Sequence, residues 1–339
     1  MNIERPDQLK QYLRSMEQIA AGEDPEVYAL TGGVSNRTMV VERPNGERWV
    51  IKQALEQLRV SAEWTCSRER IYLEALGLRW LEELVPAGMV PGFLFEDTEH
   101  YLLAMEAVPE RFENWKSMLL EGRLHLNQVE AFARLMATIH QRGYERKTEL
   151  ADDFGDWTYF EALRLKPYYE YTASRVREAR GFFERLIRST QQRRITLVHG
   201  DYSPKNILVD GDRLVLLDHE VIHFGDPAFD VGFSMTHLLS KSHHLREHRE
   251  AFLQAAKRYW KEYFRRVEDV EWTDQLERHV IGHILGCLLA RVAGKSKLEY
   301  LSETERKRQR DSVIAMLDDR PDDVPGLIRQ FKHQITSRE

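Results

Sequence analysis

Two cysteines, Cys66 and Cys287, are all that 339 residues contain, and their wide separation fits neither a disulfide framework nor a zinc-ligand pattern. Both read as ordinary buried thiols, because a free cysteine behaves as a small hydrophobe. Long apolar runs are also missing. The most apolar stretch, residues 279–294, is interrupted by His279, Gly282, His283 and Gly286, and the opening MNIERPDQLKQYLRSMEQ has no apolar signal-peptide core. A cytoplasmic protein with no membrane partner is expected. There is no long basic run either. Lys and Arg number 49 against 55 Asp and Glu, a net charge of −6, so no nucleic-acid partner is expected. The composition, 42% hydrophobic and 31% charged, allows a sizeable core in one large domain or two lobes. Neither an internal repeat nor a low-complexity linker is present.

The pattern changes along the chain. An amphipathic helix up to about Ala21 gives way to short alternating segments at 27–30, 37–42 and 48–53, separated by Thr31-Gly32-Gly33-Val34-Ser35-Asn36 and Pro44-Asn45-Gly46-Glu47. Strand, glycine turn, strand, turn, strand is the expectation. The pattern next predicts a helix over 64–84, ended by Pro86 to Pro91, and strands at 92–95 and 100–105. From about Pro109 onward it is mostly helical, apart from one β-like insertion at 195–217. This predicts an α+β chain with a small β-rich lobe at 1–106 and a larger, mainly helical lobe at 107–339. The charge run Arg306 to Arg310 reads as a solvated helix face.

The densest polar motif is Leu197-Val198-His199-Gly200-Asp201-Tyr202-Ser203-Pro204-Lys205-Asn206-Ile207-Leu208-Val209, followed after a turn by Leu216-Leu217-Asp218-His219-Glu220. Phosphoryl transfer needs a carboxylate to orient the attacking hydroxyl and oxygen ligands to hold a divalent cation on the phosphates. Asp201, Asn206 and Asp218 carry those groups, and apolar arms on either side would hold the loop rigid. Turn capping by Asp201 and Asn206 is the plainer alternative, but it leaves the clustering of polar residues between apolar strands to chance. Lys52, in Val50-Ile51-Lys52, sets a cation on an otherwise apolar strand, which costs desolvation unless an anion meets it.

In these residues the chain resembles the aminoglycoside phosphotransferase and choline kinase superfamily, which shares a two-lobed, protein-kinase-like fold. His199-Gly200-Asp201 with Asn206 matches the family's catalytic loop, Asp218-His219-Glu220 its metal segment, and Gly225-Asp226-Pro227-Ala228-Phe229-Asp230 its downstream segment. The resemblance implies an ATP-dependent kinase of a small-molecule hydroxyl. Asp201 would be the catalytic base; Asn206 and Asp218 would be Mg²⁺ ligands, with Glu220 near the metal or acceptor and Asp230 buttressing the loop. It also implies that Gly33, Ser35 and Asn36 cover the phosphates and that Lys52 meets them. Glu74 is the first choice and Glu69 the alternative for the partner of Lys52 on the following helix. Glu106 and Val108 would offer main-chain groups to adenine.

The acceptor is less legible. Candidates are Arg164 and Tyr168 in the aromatic-rich run Trp157 to Tyr171, and Arg291 and Lys295 in Ala290-Arg291-Val292-Ala293-Gly294-Lys295-Ser296. Their cations suit an anionic group on the substrate, with ion-pairing on helix surfaces as the alternative. Gly294-Lys295-Ser296 does not end a P-loop, since Leu289 stands where the glycine is required. His279 with His283, and His243, His244 and His248, lack a ligand framework and read as structural or surface residues. A nucleotide-binding module without turnover stays open as the other function, although such a module has no chemical need for Asp201. A protein kinase is disfavoured, because Gly-x-Gly-x-x-Gly, Asp-Phe-Gly and Ala-Pro-Glu are absent. A monomer or homodimer is expected.

Overall fold

The computed structural model describes residues 1–30, 33, 35–59 and 64–339. By its internal contacts the chain divides into two compact units. One is Met1–Glu110 with Asp218–Glu220, and the other is Arg111–Leu217 with Val221–Glu339.

The first unit is built on a five-stranded antiparallel sheet, ordered β1-β2-β3-β5-β4. Its strands are β1 (Glu26–Ala29), β2 (Asn36–Glu42), β3 (Arg48–Ala54), β4 (Phe93–Asp97) and β5 (Leu102–Glu106). Gly46, at φ +88°, makes the turn between β2 and β3, a conformation that costs glycine no steric penalty. Along β3, Trp49 and Ile51 join Leu9, Tyr12 and Leu13 of helix α1 (Pro6–Ser15) in one apolar cluster. Because side chains alternate across a strand, Lys52 is carried on the opposite face. Helix α2 (Arg70–Leu84) starts later than its apolar spacing predicts. Thr65 forms a bridge with Gln57, and Trp64 and Cys66 exchange backbone bonds with Leu58 and Glu56, so 64–66 is extended.

The second unit is mainly helical. Its elements begin with β6 (Glu113–Asn114), α3 (Trp115–Leu120), α4 (Leu126–Glu145) and α5 (Lys147–Phe154). A segment of short helices follows: α6 (Thr158–Phe160), a π-helical stretch Glu161–Glu170 and α7 (Tyr171–Arg175). Pro167 sits inside the π-helical stretch, where its missing N–H does not break a regular α-helical ladder. After α8 (Arg180–Gln192) come β7 (Thr196–Val198), β8 (Ile207–Asp210), β9 (Arg213–Leu216) and β10 (His223–Gly225). The sequence pattern anticipates β7 to β9 but not β6 or β10, strands of two and three residues that pair with β8 and β7. Such short strands carry too few residues for an alternation to register.

Five helices complete this unit: α9 (Pro227–His244), α10 (Arg249–Val267), α11 (Leu276–Ala293), α12 (Glu303–Asp318) and α13 (Val324–Thr336). Helices α9 and α11 pack so closely that a Cβ at Gly232 would lie 2.4 Å from the Cβ of His283. Gly232 therefore serves packing. Among the described residues no helix is long and apolar enough to cross a membrane.

Candidate functional site

In the first unit, polar groups gather on the α2 side of β3. Lys52 Nζ lies 2.5 Å from Glu74 Oε1 and 3.3 Å from Asp218 Oδ1. Of the two candidate glutamates, Glu74 is buried and holds Lys52, while Glu69 is exposed beside Ser67. Burial opposes the Lys52 charge, but Glu74, Asp218 and Glu220 outweigh it and hold the ammonium above the ordinary lysine range. Burial also pushes the Glu74 carboxyl up, to about 7, with Lys52 opposing the rise and Asp218 and Glu220 adding to it. Among the described residues, Glu74 Oε2 is buried without a hydrogen-bond partner. Asp218 has a left-handed backbone at φ 69°, unusual for a residue with a side chain and a form of strain that gathers at functional sites.

Arg70, at the start of α2, has no exposed surface. Its Nε donates to Glu220 Oε2 at 3.0 Å, Nη1 to the carbonyls of Cys66 and Ser67, and Nη2 to those of Ser35 and Leu55. One guanidinium thus ties Glu220 to the backbone of Ser35. Sequence reasoning missed it, since an arginine opening an amphipathic helix reads as solvent-facing. Three carboxylates, Glu74, Asp218 and Glu220, here face two cations, Lys52 and Arg70.

Gly33 is exposed, and a Cβ there would meet nothing closer than the Asn36 carbonyl at 3.8 Å. Thr31, Gly32 and Val34 lie outside the described residues. Ser35 and Asn36 are buried, and among the described residues Asn36 Oδ1 has no partner. At the end of β5 the Glu106 N–H donates to Gly92 and the Ala107 N–H to Arg48, so the Glu106 amide is already committed. Val108 follows, half-buried.

In the second unit, Asp201 and Asn206 occupy the loop between β7 and β8. Gly200 has φ +76°, and a Cβ on it would come within 2.7 Å of the Val221 carbonyl, so the middle position of His199-Gly200-Asp201 admits only glycine without strain. Asp230, on α9, accepts from the amides of His199 at 2.7 Å and Gly200 at 2.8 Å, the buttressing expected of it. Burial works against that carboxylate, but the bond from His140 and the charge and amide of His199 lower its pKa below the usual aspartate value. Three donors converge on Asp201 Oδ2: Asn206 Nδ2 at 2.8 Å, Arg164 Nη2 at 3.0 Å and Lys205 Nζ at 3.4 Å. They fix the rotation of the carboxylate. Asn206 Nδ2 also reaches the Asp201 carbonyl, so Asn206 turns its nitrogen to Asp201 and keeps Oδ1 as the atom suited to a cation.

The candidate acceptor residues divide. Arg164 is buried, its Nε bonded to the Gly200 carbonyl at 2.7 Å, which makes it part of the support of Asp201 rather than a helix-surface cation. Arg291 is buried as well, with Nη1 on the Tyr168 hydroxyl at 3.0 Å and on Ser296. Tyr168 is buried between the guanidinium groups of Arg164 and Arg291, 5.7 and 5.5 Å from its ring centre. Lys295 is exposed, its ammonium 5.7 Å from the Tyr171 ring centre. His243 is buried, not on the surface as its neighbours suggest, with Nε2 against the Glu305 carbonyl. His283 is structural, bonded to the Tyr169 hydroxyl at 2.8 Å. Among the described residues no three His, Cys, Asp or Glu cluster as a metal site.

A two-unit chain with an antiparallel sheet, a Lys52–Glu74 pair and a His-Gly-Asp loop has the architecture of small-molecule phosphotransferases. Residues 15–270 match the model of the phosphotransferase enzyme family, and the chain belongs to that family. A methylthioribose kinase of Bacillus velezensis is 25% identical over 229 residues, 59% of this chain. The match spans 57% of that relative's length. Among solved structures, an amicoumacin kinase in complex with AMP-PNP, Ca²⁺ and Ami is similar in fold, with a TM-score of 0.58 and 16% identity over 93% of this chain and 96% of its own. A choline/ethanolamine kinase family protein from Mesorhizobium loti aligns over 98% of this chain and 92% of its own, at TM-score 0.50 and 17% identity.

Proposed function

We propose that this protein is an ATP-dependent kinase that phosphorylates a hydroxyl of a small molecule, with Asp201 as the base. The observation that carries the reading is the fixing of one Asp201 oxygen by Asn206, Arg164 and Lys205 on a loop itself capped by Asp230. So closely held a carboxylate is already oriented as in-line attack by an alcohol needs it. The family match and the methylthioribose kinase relative support the same class.

In this reading Lys52, positioned by Glu74, meets the α- and β-phosphates of ATP. Gly33, Ser35 and Asn36 cover the phosphates, and main-chain groups at Glu106 and Val108 meet adenine; at Glu106 this falls to the carbonyl. Asp218 and Asn206 are the oxygen ligands for Mg²⁺, with Glu220, anchored by Arg70, adding charge beside them. Hard oxygen donors and the surplus of carboxylate over cation around Lys52 fit such an ion, and the amicoumacin kinase, solved with AMP-PNP and Ca²⁺, supports nucleotide and divalent cation together. Mg²⁺ supplies neutralisation of phosphate charge. Asp201 accepts the hydrogen bond of the acceptor hydroxyl and orients its lone pair. The acceptor oxygen then bonds to the γ-phosphorus as the bond to the β,γ-bridging oxygen breaks. ADP leaves with that electron pair, and the hydroxyl proton passes to Asp201. The setting is cytoplasmic.

The test is an ADP-release screen with Mg²⁺ and ATP against amino alcohols, sugars, aminoglycosides and hydroxy amino acids, run in parallel on Asp201→Asn. Acceptor-dependent release that falls about 10²–10⁴-fold in the variant, with Mg²⁺–ATP affinity nearly unchanged, is the expected result. Release undiminished in Asp201→Asn refutes the base. No acceptor-dependent release by the wild type against any class leaves the non-catalytic nucleotide-binding module as the better reading.

A further inference from the structure

Helix α9 carries a lysine that its surroundings do not explain. Lys241 has no exposed surface, and among the described residues its Nζ makes no hydrogen bond. Burying an ammonium without a partner is among the costliest arrangements a fold can hold. The ring centre of Tyr300 lies 5.3 Å from Nζ, and among the described residues the Tyr300 hydroxyl is itself buried without a partner. One turn earlier on α9, His237 is buried with Nε2 unpartnered. From α11, Arg291 brings a buried Nε that also lacks one, although its Nη1 is well occupied.

These groups share one neighbourhood, and it is positively charged. Burial drives the His237 pKa far down, and Lys241, Arg291, Lys116 and Lys205 push it further in the same direction. Burial lowers Lys241 to about 7, with Lys116 and Arg291 adding to the effect. Glu299 opposes them; since it is paired with Lys116, those two charges largely offset each other and Arg291 is the cation left facing Lys241. Several unsatisfied donors in a cationic surround are what an anionic group would complete.

The cluster also adjoins the catalytic loop. Arg291 and Arg164 lie over the same Tyr168 ring, and Arg164 holds Asp201 at 3.0 Å. His237 stacks edge-on to Phe233, 5.1 Å between ring centres, and Arg164 lies 5.9 Å from the same ring. Lys205, which adds to the charge around His237, reaches Asp201 at 3.4 Å.

Resting on the kinase reading above, we propose that Lys241, His237 and Arg291 form an anion-binding end of the acceptor site. The acceptor is then a hydroxylated small molecule bearing a carboxylate or a phosphate, with its hydroxyl turned to Asp201. Arg291 and His237 keep 9% and 7% of their surface exposed and meet the anion first; Lys241 completes the contact. This extends the expectation for Arg291 to two residues on α9. Arg164 is left as a positioning residue for Asp201, and Lys295 has no part in the anion contact.

The experiment compares matched polyols that differ only in charge: glycerol, D-glycerate and glycerol 3-phosphate, then ribose and ribose 5-phosphate. Binding is read by calorimetry without nucleotide and transfer by ADP release with Mg²⁺–ATP, for the wild type, Lys241→Met and Arg291→Lys. The expected result is that charged members bind the wild type at least about tenfold more tightly than neutral ones, and that Lys241→Met erases the difference. Replacing a buried unpaired charge by an apolar chain should at the same time raise the melting temperature of the ligand-free protein, so a fall in affinity cannot be blamed on unfolding. The glycerate and phosphate arms separate the two anions. Equal binding of charged and neutral members, or a charge preference that survives in Lys241→Met, overturns the proposal. If neutral polyols are phosphorylated as well as charged ones, the anion site falls and the kinase stands. If charged polyols bind through Lys241 without transfer, the site stands and the kinase reading fails.

Discussion

Arg164 and Asp201 are joined through both side chain and main chain: Nη2 lies 3.0 Å from the carboxylate Oδ2, while Nε donates to the carbonyl of Gly200, one residue earlier, at 2.7 Å. The arginine therefore sets where the carboxylate stands as well as how it is turned. Lysine, a point charge with no planar fork, cannot make both contacts. Arg164→Lys is expected to lower kcat by about 10–100-fold while leaving KM for ATP nearly unchanged. Steady-state kinetics with ATP varied at saturating acceptor checks this; a rise in KM for ATP with kcat intact would assign Arg164 elsewhere.

Removing the cation at Lys52 leaves Glu74 buried beside Asp218 and Glu220 with less to balance them. Lys52→Ala should weaken Mg²⁺–ATP binding at least about tenfold, since a hydrogen bond to a charged group contributes about 1.5–3 kcal/mol. Calorimetry that returns the wild-type affinity would remove Lys52 from the nucleotide site.

A third expectation concerns Gly200. Alanine there must take φ +76° and bring Cβ within 2.7 Å of the Val221 carbonyl, so Gly200→Ala should cost at least about 1–2 kcal/mol in conformation alone, before the clash is relieved. Lower thermal stability and lower turnover are expected together. Turnover that persists at the wild-type level would mean that the loop tolerates displacement and that Asp201 need not be held where it is.

Buried His223 gives a pH signature. Burial lowers it to about 4, against the bond to the Val221 carbonyl, whereas an unfolded histidine titrates near 6.5. Between those values the unfolded chain binds a proton that the folded chain excludes. Stability therefore falls as pH drops through that window, by about 1.4 kcal/mol per pH unit for this group. His237 and His243, also depressed by burial, act in the same sense. His223→Phe should flatten the slope of unfolding free energy between pH 6 and 5 by about one proton, measured by urea titration at each pH. An unchanged slope would place the titration elsewhere.

The candidate loop is legible in sequence because its polar groups are local: His199, Gly200, Asp201 and Asn206 sit within eight consecutive positions, and apolar strands frame them. Lys52 could be read because a cation interrupts an apolar alternation. Lys241 gives no such signal, because it stands between Ser240 and Ser242 and just before His243 and His244, a polar setting in sequence that folding buries. Arg70 gave no signal at all. Its five donors are satisfied by carbonyls and a carboxylate from four separate stretches of chain, a closure that only folding brings about. The start of α2 was misjudged for a related reason, since the bridge between Gln57 and Thr65 overrides the helical spacing of 64–69.

Glu220 and Arg70 stand 150 residues apart in the chain, yet belong to the same compact unit. A ribosome adding about 5–20 residues per second needs about 8–30 s to make that length. Through that interval the nascent sheet holds Arg70 without its carboxylate and Lys52 without Asp218. The first unit thus emerges with a cationic seam that its own early residues cannot neutralise beyond Glu74.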